Sequence, residues 1–94
     1  MKKEEIMKVL QDEIELLHVK FDELRVQADL GGKEIKEALK PEIDKIEIQL
    51  SKAKTQMDEI TRASLDALAD MKEGAELALT SISEAIKSAA ERFK

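Results

Sequence analysis

The chain is 94 residues long, carries a formal net charge of −5, and is 39% charged but only 2% aromatic. That length leaves room for one domain, and two Phe with no Trp or Tyr provide few anchors for a wide globular core. The acidic balance opposes the clustered Lys and Arg that a phosphate backbone requires, so no nucleic-acid partner is expected.

The apolar residues are almost entirely Leu, Ile, Ala, Val and Met, and the remainder is largely Lys, Glu and Asp. This composition predicts long helices meeting in narrow seams, an all-α coiled coil. With no cysteine, disulfides and thiolate metal sites are excluded. Met1-Lys2-Lys3-Glu4-Glu5 places acids where a signal peptide needs a basic stretch and an apolar run. No segment approaches the roughly 18 apolar residues needed to cross a bilayer. A cytoplasmic location is expected.

From the N-terminus, Ile6, Leu10, Ile14, Leu17, Phe21, Leu24 and Ala28 recur at steps of three and four, with charged residues between them. The spacing predicts a first helix over about 2–30, polar on its opposite face. Gly31-Gly32 follows; two glycines cost about 2 kcal/mol inside a helix and are favoured just past its end, so a tight turn is expected there. Ile35, Leu39, Ile43, Ile46, Leu50, Ala53, Met57 and Ile60 then form a second stripe. Pro41 lies within it, and marks either the true helix start or a kink.

From Met57 onward the stripe runs Met57, Ile60, Ser64, Leu68, Met71, Ala75, Leu79, Ile82, Ile86, Ala90 and Phe93, in repeated steps of three, four and four. This is an eleven-residue repeat, whose period near 3.67 keeps a stripe nearly straight. Only Ser64 departs from apolar character, and Leu77 falls on the opposite face. No Gly or Pro stands between Ile60 and Leu68, so the pattern predicts one continuous helix over about 33–94. At about 1.5 Å per residue, the first helix then covers the second only to about Thr61. The rest of the stripe needs a cover. A second copy, a third helix folding back at Thr61-Arg62-Ala63-Ser64, or a lipid or foreign helical surface would each supply one. A fold-back would give three segments of similar length but lacks a Gly or Pro at its corner. The preferred reading is therefore an antiparallel helical hairpin that self-associates into a bundle, a homo-oligomer, dimer or tetramer, because so long an apolar stripe does not stay in water. Its interface comprises Met57, Ile60, Leu68, Met71, Ala75, Leu79, Ile82, Ile86 and Phe93.

Candidate chemistry is sparse. Glu15 and His18 have the Glu-x-x-His spacing of helical di-iron sites, but on a helical wheel both point away from the apolar stripe. Thr80, Ser81, Ser83 and Ser88 have no nearby histidine to act as base. No catalytic residue, metal ligand or cofactor site is assigned, and the protein is expected not to be an enzyme. Eleven-residue amphipathic repeats also occur on lipid-bound helices. Here the polar side carries Asp66, Asp70, Glu73, Glu76 and Glu84, which anionic lipid repels.

The segment Ala63-Ser64-Leu65-Asp66-Ala67-Leu68-Ala69-Asp70-Met71-Lys72-Glu73-Gly74, with Ala85-Ile86-Lys87-Ser88-Ala89-Ala90-Glu91-Arg92-Phe93-Lys94, resembles the tail of a family of small bacterial coiled-coil proteins of unassigned function. That family tends to carry Trp in the repeat where this chain has Leu. The resemblance implies a coiled-coil fold and carries over no activity, because none is assigned to that family. The expected function is a non-enzymatic scaffold or adaptor acting by helix–helix self-association; the rival is an amphipathic lipid-surface binder using the 57–93 stripe.

Overall fold

The described residues form three helices: α1 (Lys3–Leu30), α2 (Lys33–Arg62) and α3 (Leu65–Glu91). The structure is a computed structural model and describes residues 2–92. Each helix packs against the other two, in an up-down-up rod of 49 × 18 × 16 Å. The long axis is close to the ~45 Å expected of the thirty-residue α2.

The stripe of α1 is the core stripe. Ile6, Leu10, Ile14, Leu17, Phe21, Leu24 and Ala28 are all buried. The helix ends where Gly31 donates its N–H to the Gln27 carbonyl at 2.9 Å. Gly32 then takes φ 96° and ψ 170°, a region essentially reserved for glycine. Gly32→Ala should therefore cost about 1–3 kcal/mol and lower the thermal midpoint by roughly 4–8 °C per kcal/mol. Gly74→Ala is the matched control: it lies inside α3 with nothing within 4 Å of an added Cβ. It should raise stability by about 0.5–1 kcal/mol. Circular dichroism melts of the two variants check both signs.

In α2, Leu39, Ile46, Leu50, Ala53 and Ile60 are buried, while Ile35, Ile43 and Met57 pack half-buried against them. The helix begins at Lys33 and runs unbroken through Pro41, so the proline is not its start. The carbonyl deprived of a partner by the missing N–H belongs to Glu37. Glu37 and Pro41 are both exposed, where water can take up that bond.

The expected continuous helix over 33–94 is corrected here. The chain turns at Ala63-Ser64, and α3 folds back along α2. Both corner residues are extended, Ala63 at φ −71°, ψ 149° and Ser64 at φ −71°, ψ 161°. Any residue adopts those angles, which explains why the corner has neither Gly nor Pro. Lys3, from the start of α1, closes it: its ammonium donates to the carbonyls of Thr61 and Ala63, both at 2.8 Å. A cation there also complements the partial negative charge at the end of α2. At the opposite end of the rod, Arg92 pairs with Glu42 and ties the end of α3 to α2.

The core of α3 is Leu68, Ala75, Leu79, Ile82, Ile86 and Ala89, with Met71 half-buried. The eleven-residue repeat does not persist to the end as expected: Ala89 is buried and Ala90 only half so. After one double step of four, Met71–Ala75–Leu79, the helix returns to heptad spacing. That spacing keeps a seam facing its neighbours in a left-handed bundle, whereas a sustained 3.67 period drifts off it. The parallel helix α1 makes the same sequence of steps, from Ile6–Leu10–Ile14 onward. Ile6 and Met71 are 65 positions apart, as are Leu10 and Ala75, Phe21 and Ile86, and Leu24 and Ala89. At this offset Leu10 and Leu24 correspond to alanines of α3, the large-to-small alternation that close packing favours.

Candidate interaction surface

The residues expected to join separate copies instead form the inside of one chain. Ile60, Leu68, Ala75, Leu79, Ile82 and Ile86 are buried, Met57 and Met71 are half-buried against the same core, and Phe93 lies outside the described residues. The third-helix alternative is the one realised. Once α3 folds back, α1 and α2 cover its stripe, and the argument for an oligomer built on that stripe loses its premise.

The other candidates lie on the surface. Glu15 and His18 are exposed on α1. His18 Nε2 stands 3.9 Å from an Asp22 carboxylate oxygen, one helical turn on. Among the described residues, no three His, Asp or Glu side chains gather as a metal site. Thr80 and Ser83 are exposed on the rim of a groove between α1 and α3 that also includes Leu16, Leu17 and Leu79. No helix among the described residues is long and apolar enough to cross a membrane.

What stands out is the outer face of α1. Val9, Leu16, Val19, Val26 and Leu30 are all large, apolar and exposed. Together with Asp12 and Glu23 they occupy positions 9, 12, 16, 19, 23, 26 and 30, alternating steps of three and four. This is a second heptad row, rotated roughly 145° from the core stripe at about 100° per residue. Leu16, Val19 and Val26 are 54%, 53% and 54% exposed, so the row is not an extension of the core. By contrast, α2 exposes only Ile48 among its large apolar residues, and α3 exposes Leu65 and Leu77, twelve positions apart. Val19 and Val26 also line a shallow surface groove with Asp22, Glu23 and Gln27.

The row was legible in principle but missed by reading the opposite face of this helix as wholly solvated. Two acids in seven positions break the apolar pattern, and the stronger core stripe on the same helix hides it. The signal is the spacing of the valines, which have low helix propensity and no core role here.

No family model, curated protein or solved structure matches the chain.

Proposed function

We propose that the protein is a non-enzymatic scaffold or adaptor that acts through helix–helix association, with the outer row of α1 as its working surface. The observation that carries this reading is the row itself: five large apolar side chains in heptad register, outside the core that the described residues form. Apolar patches of this kind, rimmed by polar residues, mark contact surfaces more often than chance exposure does. The bundle supplies a rigid support, since α1 is seated by seven buried residues on its other side.

The double variant Leu16→Asp/Val26→Asp tests the reading at two side chains that are each 54% exposed. In cell extract the wild-type chain should migrate in an assembly well above 10.6 kDa. The variant should migrate alone, with an unchanged helical spectrum and thermal midpoint. If the variant keeps the same assembly, the outer row is not the working surface. Co-sedimentation of the wild-type chain with anionic vesicles would transfer the function to lipid surfaces.

A further inference from the structure

We propose that the occupant of the outer α1 row is a cationic amphipathic helix of a partner protein; this rests on the adaptor reading above and names its partner class. The row runs from Val9 to Leu30, about 31 Å at 1.5 Å per residue, and its three-four alternation is the hole pattern that another helix fills with knobs.

Charge selects among possible helices. In and beside the row stand Asp12, Glu13, Glu15, Asp22, Glu23 and Asp29 against Lys8 and Lys20. On α1 six acids stand against two lysines; Lys54 of α2 lines a groove with Glu15 and Lys87 of α3 lines one with Glu23, which brings the balance of this face to −2. Asp29 is partly neutralised by Lys36 of α2 at 3.5 Å. The other five acids have no lysine or arginine partner among the described ion pairs.

A second copy of the chain fits poorly. In a parallel pairing of two α1 rows, Asp12 meets its own counterpart and so does Glu23. In the antiparallel pairing that matches Val9 with Val26 and Leu16 with Val19, Asp12 meets Glu23. In both, carboxylates face each other, and like charges juxtaposed in an interface are strongly unfavourable. The antiparallel register one heptad along sets Asp12 against Leu30 and Glu23 against Val19, which buries each carboxylate without a partner. Anionic lipid meets the same repulsion. A foreign helix with an apolar heptad row and Lys or Arg at two seam positions eleven residues apart answers both Asp12 and Glu23. The chemistry of the partner is thus fixed more closely than its identity.

The probes are two labelled three-heptad peptides with leucine seams, one with lysines at the flanks and at the two special seam positions, the other with glutamates at those places. The lysine peptide should bind the full chain, measured by fluorescence anisotropy, and weaken about ten-fold or more between about 0.05 and 0.5 M salt. The glutamate peptide should not bind. Leu16→Asp/Val26→Asp should abolish binding of the lysine peptide even though it adds two negative charges; non-specific attraction would instead grow. Asp12→Lys/Glu23→Lys should reverse the preference between the peptides, and Leu77→Asp on α3 should change nothing. Melting curves of each variant establish that it is folded.

Equal binding of both peptides, or binding untouched by Leu16→Asp/Val26→Asp, overturns the proposal. So does self-association of the free chain that Leu16→Asp/Val26→Asp breaks, because the occupant is then a second copy. If charge reversal is silent while Leu16→Asp/Val26→Asp still removes the cellular assembly, the cationic partner falls and the adaptor reading stands. If that assembly also survives the variant, both fall.

Discussion

Ile82→Asp should unfold the chain under conditions where Leu77→Asp leaves it intact. Ile82 is 1% exposed in the centre of α3, whereas Leu77 is 65% exposed on the same helix. An aspartate at position 82 must either stay ionised in an apolar seam or take up a proton there, and each costs several kcal/mol. Small domains hold only about 5–15 kcal/mol in total. The expected result is a thermal midpoint lowered by tens of degrees, or no folded population at room temperature. Leu77→Asp should stay within about 0.5 kcal/mol of wild type. Ellipticity at 222 nm follows both, and sedimentation gives their masses. The reverse outcome, with Leu77→Asp melting and Ile82→Asp stable, would mean that α3 is seated half a turn from its described position.

Phe21→Ala carries the second large effect, a loss of about 3–5 kcal/mol. Phe21 heads the largest fully buried side chains and sits about two-thirds of the way along α1. Arg25 lies over its ring at 5.7 Å from the centroid. Arg25 itself is exposed, so Arg25→Ala should cost only about 0.5–1 kcal/mol. Denaturant titration of the two variants separates packing from the cation–π term. A Phe21→Ala loss below about 1 kcal/mol would show that the ring is not a packed layer of the bundle.

The parts of the fold that were legible in the sequence are those that depend on periodicity. All seven core residues of α1 recur at helical spacing, and the Gly31-Gly32 turn is marked by two residues that a helix disfavours, the second of which takes the positive φ. The second corner left no such mark. Ala63 and Ser64 turn the chain with two ordinary extended residues. Ile60 and Leu68 stand eight positions apart, so the apolar phase passes through the corner as if the helix continued. Periodicity reports which face is buried, not what buries it. A stripe covered by the same chain and one covered by a neighbour read alike, and only the length mismatch between the first helix and a continuous second pointed to a fold-back. The surface row of α1 was obscured for a different reason: Asp12 and Glu23 interrupt it, and those same two acids are what give it a preferred partner.

The parallel course of α1 and α3 shapes how the bundle assembles. Two of its three helix pairs are joined by turns of two residues, so α1–α2 and α2–α3 can each close locally. The α1–α3 seam joins positions about 65 apart and gains its contacts only after both corners have formed, since loop closure must precede them. Helical bundles with mostly local contacts fold in roughly microseconds to milliseconds. Docking of the third helix is therefore the step that completes the core, and Lys3 prepares it by holding the corner from which α3 departs, through the Thr61 and Ala63 carbonyls at the end of α2. A chain halted before that step presents α1 and α2 with the berth of α3 vacant. The α3 of a second chain has the shape and register to occupy it, so exchange of this segment between chains is the misassembly to which this topology is most exposed.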